Sequence, residues 1–315
     1  MSEMIEKDLV VVGGGPAGLS AAIYAQRALL DTVTLEQQSV GGQILLTSDV
    51  DNYPGVPHTD GYSLVAAMET QAKDLGAQIV MSDVRSITHD DEAQMFYVEA
   101  ADTTYAAKTV ILAGGATPRH VGFAGEEEYA GKGVSYCATC DGMFFKGREV
   151  FVVGGGNSAA EEALFLTRFA AHVTMVVRKD HLRAQAIVGK ELSENDKVSI
   201  RYLTSIVAVD GTNAIQRITF RNNETGEEYV EEFQNGAGVF VFVGRVPASE
   251  LVSDLVETNP VGYIVTNERM ETKTPGLFAA GDVRDKPLRQ IVTAASDGAI
   301  AATSASAFLG HPVEG

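Results

Sequence analysis

Short apolar runs that end in glycine turns recur along the chain, and the first lies near its start. Leu9–Val12 is followed by Gly-Gly-Gly-Pro-Ala-Gly at 13–18 and by an alanine-rich stretch that predicts a helix over 19–28. The next apolar run, 32–35, predicts a second strand that ends at Glu36. A strand, a glycine turn, a helix and a downstream acid are the parts of a dinucleotide-binding fingerprint, so this region predicts a nucleotide site.

Each part of this first fingerprint has a physical role. Gly13 would permit the tight turn, Gly15 would let the backbone approach a pyrophosphate, and Gly18 would let the helix pack closely on the strand. The helix N-terminus would supply amide donors and the positive end of a dipole. Glu36 lies near the ~20 residues downstream at which a carboxylate accepts hydrogen bonds from ribose hydroxyls.

The same pattern returns later in the chain, where residues 151–160 mirror residues 10–19 at a shift of 141 positions. A helix is predicted to continue over 161–169, so a second nucleotide site is expected. The shift places Val177 where the first site has Glu36, and Arg178, Lys179 and Arg183 follow it. Basic side chains attract a 2′-phosphate that a carboxylate would repel, which favours NADPH over NADH. The alternative is a solvated basic loop.

The rest of the pattern predicts further strands and helices. Apolar runs predict strands over 78–81, 86–88, 95–99 and 109–112, and helices are predicted over 61–75 and 292–308. Alternating apolar and polar residues predict an antiparallel sheet from 200–209, 215–221 and 228–233, with a last apolar strand at 238–243. The run 276–283 contains Gly281 and Asp282, and a carboxylate at a strand end could accept a hydrogen bond from a polyol hydroxyl.

The only two cysteines of the 315 residues, Cys137 and Cys140, form one Cys-x-x-Cys that Asp141 follows. Thiols at this spacing can close a small disulfide ring, and a helix starting within the motif would lower a thiol pKa. Asp141 could carry a proton to or from a leaving sulfur. The alternatives are two buried thiols or half of a zinc site, although no second Cys or His pair at ligand spacing is present.

Composition and charge limit the kinds of partner. The formal net charge of −18 at pH 7 argues against binding to nucleic acid or to an anionic membrane. No apolar stretch approaches the ~20 residues of a membrane span, and the acidic start does not fit a secretory signal. With its paired cysteines, the chain is expected to be a cytoplasmic protein whose thiols serve catalysis.

Taken together, the two fingerprints and the Cys-Ala-Thr-Cys-Asp-Gly at 137–142 resemble the low-molecular-weight thioredoxin reductases, FAD-dependent members of the pyridine nucleotide-disulfide oxidoreductase family. The resemblance extends from Val10 to Leu309 and implies an α/β fold of two Rossmann-like dinucleotide-binding domains, each with three layers (ββα), the second inserted in the first. An FAD-binding domain would comprise 1–118 and 246–315, and an NADPH-binding domain with the Cys-x-x-Cys would comprise 119–245. Family members are homodimers whose domains rotate against each other during turnover.

The resemblance also implies site residues. FAD would be bound by a set from both ends of the chain: Gly13, Gly15, Pro16, Ala17, Gly18, Glu36, Gln37, Gly42, Gln43, Asn52, Val84, Ala113, Gly114, Gly281, Asp282, Arg289, Gln290 and Ile291. NADPH would be bound by Gly154, Gly156, Asn157, Ser158, Ala159, Glu162, Arg178, Lys179 and Arg183. Electrons would pass from NADPH to FAD, to the disulfide and on to thioredoxin. Cys140 would face the flavin, Cys137 would attack the partner disulfide, and Asp141 would be the acid. No metal is expected.

The chain departs from the family pattern at one place. The family's 2′-phosphate motif is His-Arg-Arg followed by three residues and Arg, whereas this chain has Val177, Arg178, Lys179 and Arg183. Lysine keeps the charge but gives up bidentate geometry, so NADH remains an alternative donor. Two rival functions stay open: a flavin-dependent dithiol oxidase, against which the intact second fingerprint argues, and a non-catalytic FAD-containing redox sensor.

Overall fold

The computed structural model describes residues 3–47 and 50–311. Its strands, in chain order, are β1 (Glu3–Val12), β2 (Thr32–Glu36), β3 (Gln78–Met81), β4 (Val84–Asp90), β5 (Met95–Ala100), β6 (Thr103–Leu112), β7 (Ala116–Pro118), β8 (Val134–Ser135), β9 (Glu149–Val153), β10 (His172–Val176), β11 (Val198–Arg201), β12 (Thr204–Gly211), β13 (Ile215–Asn222), β14 (Glu228–Val241), β15 (Arg245–Pro247) and β16 (Leu277–Ala279). Its α-helices are α1 (Pro16–Arg27), α2 (Gly61–Asp74), α3 (Ala138–Asp141), α4 (Asn157–Leu166), α5 (Ala186–Glu194) and α6 (Ile291–Phe308). Short 3₁₀ turns cover Gly42–Leu46, Gly142–Phe145, Glu250–Val252 and Gly281–Val283.

The chain divides into two units, one made of the residues up to Thr117 together with those from Val246 onward, the other of Pro118–Arg245. In the first unit the parallel strands lie in the order β3-β2-β1-β6, and β16 pairs with the other edge of β6. Strand β6 is long enough that its first half also pairs antiparallel with β5, which pairs with β4. The parallel strands and the antiparallel meander therefore share one sheet.

Alternate residues of β1 enter two different cores, which makes the parallel sheet a middle layer. Val10 and Val12 pack in one cluster with Phe96 and Val98 of the meander. Leu9 and Val11 pack in another cluster with the alanines of α1 and α6. Buried parallel strands are covered on both faces, and this gives the first unit its three layers.

The second unit repeats this arrangement with its own elements. Its strand order is β11-β10-β9-β14, with β8 on β14, and β13 and β12 extend it as an antiparallel meander. Phe151 packs toward the meander with Phe220, whereas Val150 and Val152 pack with Ala163 of α4. The two faces of β9 thus match those of β1, and the predicted fold of two Rossmann-like, three-layer dinucleotide-binding domains is confirmed.

Some predicted element bounds were wrong. The segment 200–209 is not one strand: β11 runs parallel to β10 and ends at Arg201, and β12 starts at Thr204 after Leu203 turns the chain with a φ of +50°. The predicted strands 228–233 and 238–243 are parts of the single long strand β14. Helix α4 starts at Asn157 and ends at Leu166, earlier than predicted, and α5 was not predicted at all. In the described part of the chain, no helix has the length and apolar character needed to span a bilayer.

Candidate active site

The two cysteines form a disulfide, Cys137–Cys140, at the start of the short helix α3. Cys137 caps that helix: its Sγ accepts a hydrogen bond from the backbone N–H of Cys140 at 3.2 Å and lies 3.4 Å from the hydroxyl of Thr139. Donors aimed at one sulfur stabilise it as a thiolate once the ring opens. Among the described residues no group of three His, Cys, Asp or Glu side chains is placed to hold a metal ion.

Asp141, the residue after the motif, is bound by a serine that sequence reasoning missed. Burial raises the pKa of the Asp141 carboxyl, and the hydrogen bond from Ser135 partly opposes that rise. The hydroxyl of Ser135 lies 2.6 Å from Oδ2 of Asp141 and also accepts the N–H of Cys137 at 3.1 Å. A carboxyl whose pKa is raised keeps its proton at higher pH, which suits it to act as an acid. A serine two residues before a cysteine is too common a pattern to have indicated this role.

A second group of polar side chains precedes the motif and was also missed. Glu126 is only 2% exposed and accepts hydrogen bonds from the backbone N–H groups of Val121 and Gly122 and from the hydroxyl of Tyr136. Tyr136 also lies 3.1 Å from Nδ1 of His120. Burial, and then the bond to Glu126, raises the pKa of the Tyr136 phenol. The carboxylate therefore fastens the loop before β8 to the residue next to Cys137.

The first glycine turn joins β1 to α1 in the first unit. A Cβ at Gly13 would overlap the carbonyl oxygen of Ala113, and Gly13 has a φ of +111°. A Cβ at Gly18 would overlap the carbonyl oxygen of Gly13. At Gly15, in contrast, the nearest atom to a Cβ would be the carbonyl oxygen of Gly41, 3.8 Å away. Gly13 and Gly18 therefore allow the close contacts within the turn, and Gly15 leaves open space in front of the helix.

Glu36 binds the middle of this turn. Its Oε2 accepts the N–H of Gly14 at 2.7 Å and its Oε1 accepts the N–H of Gln38 at 2.9 Å. These bonds hold the carboxylate at the end of β2, and each carboxylate oxygen keeps a lone pair for a further donor. This position fits a ribose partner beside a pyrophosphate.

Residues far apart in the sequence meet around this turn. Nδ2 of Asn52 donates to Oε1 of Gln290 at 3.1 Å, across 238 positions. A Cβ at Gly281 would lie 2.9 Å from that of Ala17, which places the 281–283 turn beside the start of α1. Arg289 reaches back to the carbonyl oxygens of Asp282 (3.5 Å) and Arg284 (3.2 Å), and Gln290 caps α6, which begins at Ile291.

The remaining residues predicted for the first site lie at the ends of its strands and helices, in loops, or in its core. Pro16 starts α1, and Ala113 and Gly114 follow β6. Gln37, Gly42 and Gln43 are exposed. Val84 begins β4, and its side chain packs against the core cluster on the meander side of the sheet.

The second glycine turn joins β9 to α4 in the second unit. Gly154 has a φ of +149°, and a Cβ there would lie within 2.7 Å of both the Phe242 carbonyl oxygen and the Ala159 Cβ. At Gly156 no atom lies within 4 Å of a Cβ. Oδ1 of Asn157 accepts the N–H of Gln185 at 2.7 Å, Ser158 is exposed, and Ala159 is buried. Burial, and then the neighbouring Glu161, raises the pKa of Glu162.

The loop after β10 carries the predicted phosphate-binding side chains. Arg178, Lys179 and Arg183 are all exposed, and the N–H of Arg183 donates to the Gly155 carbonyl oxygen at 2.7 Å. Asp180 pairs with Nδ1 of His181 at 2.6 Å, and this hydrogen bond lowers the pKa of Asp180. The loop therefore presents three cations and one carboxylate next to the second turn.

Both turns fit a dinucleotide on the observations above. The first glycine of each turn, Gly13 or Gly154, packs against the backbone just after a neighbouring parallel strand. The third glycine, Gly15 or Gly156, faces open space at the start of a helix, where backbone amide groups favour a phosphate. Gly15 and Gly156 leave room for a backbone approach that any side chain would obstruct.

The chain is similar to known proteins over almost its whole length. The model of the family described as pyridine nucleotide-disulphide oxidoreductase matches residues 7–298. The chain is 46% identical over 306 residues to thioredoxin reductase of Peptoclostridium litorale, with 96% of each covered, and 45% identical over 310 residues to that of Bacillus subtilis, with 98% of this chain and 96% of the relative covered. The chain belongs to the thioredoxin reductases of this family. The resemblance stated from the motifs is confirmed.

Solved structures of thioredoxin reductases agree with this assignment. The crystal structure of the enzyme from Streptococcus pyogenes matches with a TM-score of 0.91 at 41% identity, covering 97% of this chain and 98% of that one. Membership makes the chain an oxidoreductase, and in this family the chemistry uses a flavin and a pyridine nucleotide. The Cys137–Cys140 disulfide fits the redox-active pair of a thioredoxin reductase.

Proposed function

We propose that this protein transfers electrons from NADPH, through FAD and the Cys137–Cys140 disulfide, to oxidised thioredoxin. The observation that carries the proposal is the disulfide between the only two cysteines of the chain, at the start of a helix and in a unit that also holds a dinucleotide-type turn. The thioredoxin reductases at 43–46% identity support thioredoxin as the acceptor.

We assign FAD to the unit with Gly13–Gly18 and NADPH to the unit with Gly154–Ala159. Glu36 supports the first assignment, because a carboxylate suits ribose hydroxyls but would repel a 2′-phosphate. The exposed cations Arg178, Lys179 and Arg183 support NADPH at the second turn. When bound, FAD would accept two electrons from NADPH and deliver them to the disulfide, which is chemistry that side chains cannot perform.

The chain's own residues perform the thiol chemistry. Once the ring is open, the Cys137 thiolate, stabilised by the N–H of Cys140 and the Thr139 hydroxyl, attacks one sulfur of the thioredoxin disulfide and forms a mixed disulfide. Cys140 then attacks Sγ of Cys137, which re-forms the internal disulfide and releases thioredoxin as a dithiol. Asp141 would give its proton to the sulfur that leaves.

A homodimer, a cytoplasmic location and rotation of the two units during turnover stay predictions of the resemblance and of the cysteine usage. Light scattering coupled to size-exclusion chromatography tests the first of these. The expected result is twice the mass of one chain.

Anaerobic titration of the flavin-loaded protein with NADPH and NADH in parallel tests the electron pathway. NADPH is expected to bleach the flavin at lower concentration than NADH, and the protein should take up about four electrons per chain, two in the flavin and two in the disulfide. Cys137→Ser should keep flavin bleaching by NADPH but lose NADPH-dependent reduction of thioredoxin, because the nucleophile is gone.

Each rival function gives a different result in these assays. A dithiol oxidase would show no bleaching by NADPH and would pass electrons from thiols to oxygen. A redox sensor would show negligible thioredoxin turnover in the wild-type protein. A purified protein that is colourless and takes up no FAD would refute the proposal altogether.

A further inference from the structure

The hydroxyl of Ser135 lies within hydrogen-bond distance of three groups of the Cys-x-x-Cys segment. Its Oγ is 2.6 Å from Oδ2 of Asp141, 3.1 Å from the backbone N of Cys137 and 3.3 Å from the carbonyl oxygen of Cys137. Ser135 is 4% exposed, so water does not replace these partners freely. In the part of the chain that the structure describes, no other side chain bonds the Asp141 carboxyl.

A hydroxyl has one hydrogen and two acceptor lone pairs, and these contacts use them in two alternative ways. The N–H of Cys137 can donate to Oγ in both. When Asp141 is ionised, the O–H donates to its Oδ2, and 2.6 Å is the length of a charge-assisted O–H···O⁻ bond. When Asp141 is protonated, its own O–H can donate to Oγ and the serine hydrogen turns to the Cys137 carbonyl. Every polar group keeps a partner in either state.

We propose that Ser135 is a positioning residue: its hydroxyl, itself bonded to the Cys137 backbone, stays hydrogen-bonded to the partly buried Asp141 carboxyl both before and after that carboxyl gives up its proton. The inference rests on the proposed function, in which Asp141 protonates a leaving sulfur. Ser135 itself touches no reacting atom. Its effect is to hold the acid in one place and to reduce the penalty of a partly buried carboxylate without a donor.

Few other titratable groups around Asp141 could change the pKa of its carboxyl. Helix α3 packs against the Gly142–Phe145 turn, which has no titratable side chain, and against α4, which carries Glu161 and Glu162. Neither glutamate contributes to the shift of the Asp141 pKa, whose causes are burial and the Ser135 bond. Within residues 135–142 the other titratable groups are the Tyr136 phenol and the two thiols of the opened ring.

The test is the pH dependence of a single turnover. Protein reduced with dithiothreitol and desalted anaerobically is mixed with an oxidised thioredoxin that contains tryptophan; since this chain has no Trp, the fluorescence reports the thioredoxin alone. The rate should fall on the alkaline side as Asp141 loses its proton. In Ser135→Ala this alkaline limb should move to higher pH, because the ionised carboxyl has lost its donor. The rate should fall less than the ~10²–10⁴-fold expected when the acid itself is removed in Asp141→Asn.

Three comparisons separate positioning from a general loss of structure. Ser135→Thr keeps the hydroxyl and should restore the limb of the wild type even if the added methyl lowers stability. Ser135→Ala in the Asp141→Asn background should cause no further shift. Ser199→Ala removes a hydroxyl bonded to His172 and Thr174 elsewhere in the same unit and should leave the profile unchanged.

The results that overturn the inference are distinct from those that overturn the function. An equal rate loss at all pH values in Ser135→Ala, persisting in the Asp141→Asn background, would show that the serine acts on the Cys137 backbone alone. If wild-type protein reduces no thioredoxin, the proposed function fails. The same variants are then compared with bis(2-hydroxyethyl) disulfide, whose leaving alkyl thiolate takes up a proton, and an unshifted limb in Ser135→Ala would overturn the positioning role by itself.

Discussion

Replacing Asp297 with asparagine tests what holds the Gly281–Val283 turn beside the start of α1. Asp297, on α6, has a side chain that is 8% exposed. Its Oδ2 accepts from Nζ of Lys286 at 2.7 Å and from the N–H of Gly281 at 3.1 Å, and its Oδ1 accepts from Arg284 at 3.1 Å. Asparagine has the same shape and can still accept one of these bonds, but it carries no charge.

The expected cost follows from the burial of the partners. The Lys286 side chain is only 6% exposed, so Asp297→Asn leaves a buried ammonium group without a counter-charge. Removing one member of a buried ion pair costs about 3–5 kcal/mol. The matched control is Glu69→Gln, which breaks the more exposed i,i+4 pair of Glu69 and Lys73 on α2 and should cost about 0.5 kcal/mol or less.

Urea unfolding followed by circular dichroism measures both costs, and FAD titration of the apoprotein followed by flavin fluorescence gives a second readout. Asp297→Asn should bind FAD more weakly as well, because its single carbonyl oxygen cannot keep all three of the bonds made to the Asp297 carboxylate. If Asp297→Asn costs no more free energy of unfolding than Glu69→Gln, the buried cluster does not stabilise the turn and the reasoning is wrong. Unchanged FAD affinity with reduced stability would separate the cluster from the cofactor site.

Three further predictions concern the second unit. Gly156→Ala should leave the melting temperature unchanged, since a Cβ there meets nothing within 4 Å. It should nevertheless raise the KM for NADPH roughly tenfold, which corresponds to about 1.4 kcal/mol of binding free energy. Gly154→Ala is the contrasting variant: because φ is +149° there, it should destabilise the fold. Asp180→Asn removes the carboxylate beside the three cations and should lower the KM for NADPH roughly two- to threefold without changing the KM for NADH. Added salt should weaken this effect, and equal changes for both nucleotides would contradict it. Tyr136→Phe takes one donor from the buried Glu126 and should cost about 1 kcal/mol in urea unfolding, and no measurable cost would mean that the bond is replaced by solvent.

The repeated part of the fold could be predicted because the signal is local. A strand, a glycine turn and a helix occupy about twenty consecutive residues, and the alternation of Val10 and Val11 between two cores follows from the two-residue period of a strand. The chance that the same order recurs at a constant shift is small. Phe151 and Val152 enter the corresponding cores of the second unit.

The antiparallel part was harder to predict because alternation does not say where a strand changes partners. The segment 200–209 has one continuous pattern, yet Leu203 adopts a left-handed φ and divides it into a parallel and an antiparallel strand. The opposite error occurred in β14, where Gln234–Gly236 interrupts the apolar pattern but the backbone continues as strand. In both places tertiary pairing, and not local preference, decides the outcome.

Contacts across long sequence separations could not be derived from the residues alone. The bond between Asn52 and Gln290 joins a loop to a helix cap 238 positions away, and only the resemblance to a family placed both at one site. The bond between Ser135 and Asp141 spans six positions, but it requires the chain to turn back at Cys137. Neither serine nor asparagine carries a spacing signal comparable to that of three glycines.

The two glycine turns share a backbone arrangement and differ in the side chains around it. In the first, the loop after β2 donates the N–H of Gly41 to the Gly14 carbonyl oxygen at 2.9 Å; in the second, the loop after β10 donates the N–H of Arg183 to the Gly155 carbonyl oxygen at 2.7 Å. The middle glycine is thus held in the same way twice.

What differs is the side chain that lies against that glycine. A Cβ on Gly14 would lie 3.1 Å from the Cβ of Glu36, and one on Gly155 would lie 3.0 Å from a methyl of Val177. Glu36 extends from this position to bind the N–H of Gly14, whereas Val177 is buried among the apolar side chains of its unit. Because the backbone geometry is shared, the proposed difference in ligand, ribose hydroxyls at the first turn and a phosphate at the second, would depend on the charge at this one position and on the cations that follow Val177.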